Sequence, residues 1–384
     1  MRVLVTGGAG FIGSFLVDRL LRGGWAVRIL DSLDPQVHPH GAPSYLAPDA
    51  ELLVGDVRDR RRCLEALEEV DAVVHAAAAV GVGQSLYRVE HYVDVNVRGT
   101  ATLLECLAER RRPLQKLVVP TSMTLYGEGL YRRPSDGRRL RVGLRTEEGI
   151  RRHGWEPVCP ETGEPLEPVP TPEDAQPLAR NVYALSKRWQ EELVLALGAV
   201  YGIPVSCLRL FNVYGPRQSL GNPYTGVIAI FLSRILAGQA PVVYEDGGQS
   251  RDFVSVHDVV DAVMAVLDSP AADGQVVNVG GGVARPVGPL ARTLAGLAGR
   301  PELAPRITGE FRKGDVRHCV ADLGRARELL GFEARVGWED GLREVVGWCR
   351  GAVVADGFAR ADEELRARGL RSEAIRPAPG SERS

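Results

Sequence analysis

The chain has 384 residues, 45% hydrophobic and 25% charged, a balance that excludes a disordered or fibrous chain and leaves room for a substantial core. Its net charge of −2 gives no general pull toward nucleic acid or anionic membrane, and no apolar run reaches the ~18 residues of a spanning helix. The scattered cysteines 63, 106, 159, 207, 319 and 349 form no CxxC pair, so we expect free thiols in a cytoplasmic protein, no metal site and, with a strand starting at once, no signal peptide.

A short apolar strand, Val3 to Val5, runs into Thr6-Gly7-Gly8-Ala9-Gly10-Phe11-Ile12-Gly13. A buried strand must end in a tight turn, and Gly7 and Gly8 permit backbone angles that side chains forbid. Gly10 lets a pyrophosphate approach the backbone, and Gly13 lets the next helix pack closely. That helix, FLVDRLLRGG, offers free N–H groups and a positive end to phosphates. The unit predicts dinucleotide binding.

The second strand, AVRIL (26–30), ends at Asp31-Ser32, about 20 residues past the glycines, where adenosine ribose hydroxyls would sit. Asp31 would accept from a 2′-OH and repel a 2′-phosphate, favouring NAD over NADP; the alternative is a loop-capping Asp. Strands ELLVGDV (51–57), DAVVHAAA (71–78) and QKLVVPTS (115–122) follow. Asp56 and Val57 are placed to meet an adenine. Ala76, Ala77 and Ala78 are small where a bulky side chain would strike a cofactor, although tight packing alone would also select them. Asn96, on a predicted helix, is either a structural hydrogen-bonder or part of a proton path. The Arg runs at 58–62 and 110–112 read as solvated helix ends and loops.

Residues 127–180 break the βα rhythm. They are rich in Gly, Pro, Arg and Glu, and so long an insertion beside a site is a lid or is disordered. Trp155 and Cys159 suggest that part of it packs down; Cys159 has no second ligand nearby, which argues against zinc. Regular structure resumes with an amphipathic helix (181–202) and the strand VSCLRLFNV (205–213). Further helices are expected over 222–238 and 257–269, and strands in PVVYEDG, SRDFVSV and QVVNVGGG. Past residue 352 a peripheral helix and a frayed tail are expected.

Tyr183 and Lys187 form YxxxK on the predicted helix, one turn apart on one face. A free tyrosine titrates near ~10, too high for a base at neutral pH. A nearby ammonium and a positively charged nicotinamide favour the phenolate and make Tyr183 a usable acid/base. Only three of the 47 basic residues are lysines (116, 187 and 313), so a retained lysine is informative. Ser122 ends the strand VVPTS, where a hydroxyl can bond the reacting oxygen or merely cap the turn. Thr124 is a second candidate hydroxyl, and Thr121 stands beside it.

TGGAGFIG, Asp31, GDVRD, HAAA, NVRGT, TSMTLYG, YALSK, LRLFNVYGPRQ and RDFVSVHDVV occur in order over residues 1–350. Together they resemble the extended short-chain dehydrogenase/reductases, specifically the NAD-dependent nucleotide-sugar epimerases and dehydratases. The resemblance implies an α/β fold, a Rossmann-type doubly wound parallel sheet with a smaller mixed α/β C-terminal substrate domain. The expected division is 1–215 for the NAD-binding part with its insertion at 127–180, and 216–350 for the substrate part, with 252–282 returning to the first. A peripheral helix and flexible tail would take up 351–384.

Carried over residue by residue, the resemblance makes Ser122, Tyr183 and Lys187 the catalytic set, with Thr124 an added candidate. It assigns Gly7, Gly10, Phe11, Ile12, Gly13, Asp31, Ser32, Asp56, Val57, Asn96 and Phe211 to the cofactor, together with Ala76–Ala78, Thr121 and, in a second role, Tyr183 and Lys187. Asn212, Arg217, Asn222, Tyr244, Arg251, Arg312 and Asp315 go to a nucleotide-diphosphate sugar, Tyr244 near the base.

The departures narrow the reaction. The dehydratases place an Asp-Glu pair after the catalytic hydroxyl; here stand Met123 and Thr124. The decarboxylases usually have a Glu in this loop, absent here, and the UDP-galactose epimerases a Lys where this chain has Val80. The insertion and NPYTGVIAIF resemble the dTDP-L-rhamnose 4-epimerase branch, whose relatives tend to carry a CPxCG-like segment; in CPETG the second cysteine position falls at Gly163. The expectation is therefore C4 epimerisation of a dTDP-, UDP- or GDP-linked 6-deoxyhexose through a transient ketone, by a homodimer. The alternatives are a 4-keto-sugar reductase or oxidase, or an NAD-sensing scaffold.

Overall fold

Seven parallel strands form the central sheet of the computed structural model, which describes residues 1–350, 352 and 357–375. They are β1 (Arg2–Thr6), β2 (Ala26–Asp31), β3 (Glu51–Val54), β4 (Ala72–His75), β5 (Lys116–Ser122), β6 (Val205–Leu210) and β7 (Gln275–Val279). Their order is β3-β2-β1-β4-β5-β6-β7. The direction of winding reverses between β1 and β4, and the carboxyl ends of these strands open a crevice there. Strand residues alternate between two cores. Val3, Val5 and Val118 pack under helices α1 (Phe11–Arg22) and α4 (Val256–Asp268). Leu4, Leu117 and Val119 pack under α2 (Gly99–Ala108) and α3 (Val182–Tyr201).

The glycine turn differs from expectation in one respect. Gly7 has φ +70, but Gly8 is not in the left-handed region; it is required because a Cβ there would stand 2.9 Å from the Ile29 side chain. A Cβ on Gly13 would lie 2.2 Å from the Gly7 carbonyl, so α1 can start this close to the turn only with glycine.

The insertion is a built structure. Strands Leu130–Arg132, Arg139–Arg141 and Glu167–Val169 form a small antiparallel sheet over a core of Tyr131, Val142, Cys159 and Leu166. Within it, residues 133–138 and 159–164 form two matched turns. The first residue's N–H donates to the sixth residue's carbonyl in both, Arg133 to Arg138 at 2.9 Å and Cys159 to Glu164 at 2.8 Å. The fifth residue returns a bond to the first, Gly137 to Arg133 at 2.9 Å and Gly163 to Cys159 at 2.8 Å, and these glycines have φ 72 and 73. The fourth position is therefore Thr162, one residue before the Gly163 of the sequence comparison. Arg133 lies between the turns, paired with Asp136 and donating to Cys159 Sγ at 3.6 Å.

The Arg runs are not simply solvated. Arg58 pairs with Asp56 at 2.6 Å, Arg110 donates to the Val70 carbonyl at 2.6 Å, and Arg112 pairs with Asp71. After residue 215, helices Val227–Leu236, Val287–Leu297 and Trp338–Cys349 enclose a third core around Phe231, Leu290 and Leu342. The segment 357–375 contains α5 (Phe358–Ala367) and a strand, Arg371–Ala374, paired antiparallel with Glu310–Arg312. This arm is not peripheral, since it forms part of the cavity wall. The expected tail after 375 lies outside the described residues.

Candidate active site

A cavity of about 620 Å³ runs from the glycine turn to α5. Its first half is built from strand ends: Gly7, Gly10, Phe11, Ile12 and Gly13 after β1, Asp31 and Ser32 at β2, Asp56 and Val57 after β3, and Ala76–Ala78 after β4. A Cβ on Gly10 would meet only the Gly7 carbonyl, at 3.3 Å, so space is open there. Asp31 is fixed by N–H bonds from Ala9 at 3.0 Å and Leu33 at 2.9 Å, and its carboxylate keeps further lone pairs. Arg58, expected to be solvated, joins this wall.

Two residues stand apart from the wall. Asn96 is fully buried in a π-helical turn, Asp94–Arg98. Its side chain accepts from Ala79 N–H at 2.7 Å and donates to the Ala79 carbonyl at 3.0 Å and to Ser186 at 2.9 Å, so it ties the β4 extension to α3. Arg217 lies behind the site, paired with Asp18 at 2.8 Å and stacked against the rings of Phe15 and Tyr45. Thr121 lines the cavity, but its hydroxyl donates to Glu191 at 3.0 Å.

The reactive groups meet in the middle. The Asn181 side chain accepts from Ala184 N–H at 2.8 Å and starts α3, which sets Tyr183 in its first turn and Lys187 one turn later. Ser122 both caps the short turn Met123–Tyr126, accepting from Thr124 N–H at 3.2 Å, and faces Tyr183. Thr124 Oγ1 donates to the same oxygen at 2.9 Å. Burial pushes the Tyr183 phenol above its ordinary value, and the Ser122 hydroxyl pulls it partly back. Burial pulls Lys187 down to about 8. The protein's own groups thus hold Tyr183 as a phenol, and the shift to phenolate expected from the sequence needs positive charge added to the cavity.

The far half holds Phe211, Asn212, Asn222, Tyr244, Arg251, Arg312 and Asp315. Asp315 bridges Arg251 at 3.1 Å and Arg312 at 3.0 Å, two guanidiniums to one carboxylate. Although burial pushes it up, these arginines hold the Asp315 carboxyl below the usual range. Asn222 accepts from Tyr224 N–H at 3.1 Å and from Gln36 at 3.3 Å. Asn212 Oδ1, Gln249 Oε1 and Arg312 Nε are buried without a hydrogen-bond partner among the described residues. Orphaned polar atoms on a cavity wall call for a polar ligand.

Sequence reasoning missed the arm: Asp362 lines the cavity and accepts from Tyr244 OH at 3.0 Å, and Glu364 accepts from Tyr87 at 2.6 Å and Tyr224 at 3.1 Å. It also missed the support behind Asp315. There Arg145 pairs with Glu128 at 3.2 Å and Glu245 at 2.8 Å, and Arg317 pairs with Glu156 at 2.5 Å and Glu245 at 2.8 Å. These pairs bolt the insertion to the substrate part, so it is a fixed buttress.

Residues 3–143 and 159–280 match the NAD dependent epimerase/dehydratase family. The chain is 34% identical to the dTDP-L-rhamnose 4-epimerase of Burkholderia thailandensis, over 90% of this chain and 94% of that protein. It is also similar to the crystal structure of UDP-glucose 4-epimerase with UDP-glucose from Thermotoga maritima (TM-score 0.73, 29% identity, 91% of this chain and 99% of that one). A third similar structure is the Thermus thermophilus UDP-glucose 4-epimerase complex with NAD (TM-score 0.71, 29% identity, 92% of this chain and 100% of that one).

Proposed function

Since the chain belongs to the NAD dependent epimerase/dehydratase family, we propose that it is an NAD-dependent nucleotide-sugar 4-epimerase whose substrate is a dTDP-, UDP- or GDP-linked 6-deoxyhexose. The observation that carries this reading is the hydroxyl chain Thr124–Ser122–Tyr183, one helical turn from Lys187, with Met123 where an elimination would need an acid. It supports moving one proton on and off one oxygen.

The first half of the cavity fits NAD. The open space at Gly10 and the start of α1 suit a pyrophosphate, Asp31 suits ribose hydroxyls, and Ala76–Ala78 leave a flat wall. Bound NAD supplies the oxidation at the sugar carbon and the reduction that follows. Tyr183 takes the proton of the C4 hydroxyl and returns it after the ketone has turned over. Ser122, with Thr124 donating to it, gives its own proton to Tyr183 or to the sugar oxygen. Lys187 would favour the phenolate only together with the positive nicotinamide of bound NAD. Arg251 and Arg312 would bind the diphosphate, with Asp315 holding both in place and Asn212 adding its free oxygen. Tyr244 would stand beside the base. Asn96 and Arg217 act behind the wall and bind no ligand directly.

A homodimer is part of the proposal: Leu185 and Trp189 are exposed on α3, where a second copy's helices could cover them. No helix among the described residues is long and apolar enough to cross a membrane, and we place the enzyme in the cytoplasm.

The test is to give the purified protein and NAD dTDP-L-rhamnose, then separately its C4 epimer, and follow both by proton NMR. Equilibration from both sides with no net change in NAD supports the proposal, as does its loss in Tyr183→Phe. Stoichiometric NADH consumption with a 4-keto sugar would replace it with a reductase.

A further inference from the structure

Lys187 stands at one end of a buried hydrogen-bond chain whose direction can be read link by link. Its ammonium donates to the Pro120 carbonyl at 2.7 Å and to Gln190 Oε1. Gln190 Nε2 donates to Thr100 Oγ1 at 2.8 Å. The single proton of the Thr100 hydroxyl goes to the Asn96 carbonyl at 2.6 Å, so its oxygen accepts at every other contact. One such contact is His75 Nε2 at 2.9 Å, which places the imidazole proton on Nε2. His75 Nδ1 then accepts from Thr6 Oγ1 at 2.7 Å, and Thr6 accepts from Ala77 N–H at 3.2 Å. Burial, with the Lys187 charge adding to it, pulls His75 down to about 3 and keeps it neutral.

A glutamine amide can face either way, and here only one way works. Thr100 has no proton left to give, so it admits only the NH2 end of Gln190. The carbonyl end must then face Lys187; the reverse orientation would set donor against donor twice. Two of the three ammonium N–H groups are spent on Pro120 and Gln190, which directs the third toward the cavity that Lys187 lines.

We propose that Gln190 is a positioning residue for the reaction, its carbonyl, oriented by Thr100 and His75, holding Lys187 as an ammonium with one N–H aimed at the reacting groups. The proposal rests on the role given to Lys187 above. The groups around that ammonium leave the task to neutral acceptors. On α3 stand Tyr183 and Glu191, and Glu191 is paired with Arg209 at 2.6 Å. From β6 the Cys207 thiol, pushed up by burial, is neutral. From β5 come Thr121 and Ser122, from β4 the neutral His75. Burial works against the charge, and bonds from an ammonium to a carbonyl are the stronger, charge-assisted kind. The far end of the chain grips Ala77, so the cofactor wall and the catalytic ammonium are ends of one assembly.

With only three lysines in the chain, the protein labelled at lysine 13Cε should give three NMR signals, and Lys187 can be assigned with Lys116→Arg and Lys313→Arg. The wild-type Lys187 signal is expected to titrate near about 8. In Gln190→Met the midpoint should fall by about 1 pH unit, the loss of one charge-assisted bond. Thr100→Val, which frees the amide to turn, should move it the same way, and Gln190→Glu should raise it above wild type. The alkaline limb of the kcat profile should shift with each variant while KM for the sugar nucleotide stays unchanged. A Lys187 midpoint that stays in place in folded Gln190→Met and Gln190→Glu overturns the proposal. So does a fall in kcat with an unmoved limb. The NMR titration needs no substrate, so it reads the same whether or not the epimerase assignment stands.

Discussion

Thr124 makes Ser122 a donor. Its hydroxyl reaches Ser122 Oγ at 2.9 Å and its N–H reaches the same atom at 3.2 Å, which fills the acceptor capacity of that oxygen and turns its own hydrogen outward toward Tyr183. Thr124→Val leaves a lone pair of Ser122 free and should lower kcat about 5- to 10-fold, the worth of one hydrogen bond. KM should not move, and Thr124→Ser should restore the rate. Ser122→Ala should cost about 10²-fold. Steady-state kinetics on the four proteins check this; an unaltered kcat in Thr124→Val would remove Thr124 from the reaction.

Lys187 costs the fold stability. Its ammonium titrates near about 8 in the folded chain against an ordinary 10.5. Between those values the unfolded chain binds more protons, so stability rises with pH across that window, and below about 8 the whole cost of burying the charge is present. Lys187→Met should abolish turnover and leave the Pro120 and Gln190 acceptors unpaired at every pH, but its stability relative to wild type should be higher at pH 7 than at pH 10.5 by about 1–3 kcal/mol. Urea unfolding at the two pH values checks the sign; equal destabilisation at both would contradict it.

Arg145 is the centre of the buttress behind Asp315. Its side chain is almost wholly buried between Glu128 and Glu245. Arg145→Met removes one partner from each of two buried carboxylates, which keep their bonds to Arg317, and should cost about 1–3 kcal/mol in urea unfolding. Arg343→Met breaks only exposed pairs to Glu339 and Asp340 and should cost under about 1 kcal/mol. Similar losses for the two variants would mean that the insertion does not bear on the fold as described.

The arm should act on binding. Glu364 accepts from both Tyr87 and Tyr224, whose hydroxyls also bond each other at 2.6 Å, and so ties the arm to the cavity-lining Tyr224. Glu364→Ala should raise KM for the nucleotide sugar about 5-fold with little change in kcat. A chain ending at Ala352 should raise it further. Calorimetric titration with dTDP measures the same effect without turnover, and an unchanged affinity in both proteins would count against it.

What could be read from the sequence was what local physics decides. Gly7 and Gly13 answer to a turn and a helix start within ten residues, and YxxxK spans one helical turn, which is where the structure has Tyr183 and Lys187. Asn96 and Arg217 could not be separated from the cavity wall, because their partners Ser186 and Asp18 lie 90 residues and more away in the chain. The buttress was invisible for the same reason, Arg317 and Glu156 being 161 residues apart. The arm has a polar helix whose apolar side is little more than Ala361 and Leu365, too thin a stripe to announce a buried face.

The matched turns at 133–138 and 159–164 have one more meaning. Paired turns whose first and fourth residues converge are a frame on which proteins commonly mount zinc. Here those four positions are Arg133, Asp136, Cys159 and Thr162, and the positive centre is the guanidinium itself, bound to Asp136 and Cys159. A zinc ion can be stripped by a chelator or exchanged for another metal; a guanidinium on the backbone can be neither. The insertion therefore carries a positive centre in covalent form where such a frame would take an ion, with Asp136 and Cys159 as its partners.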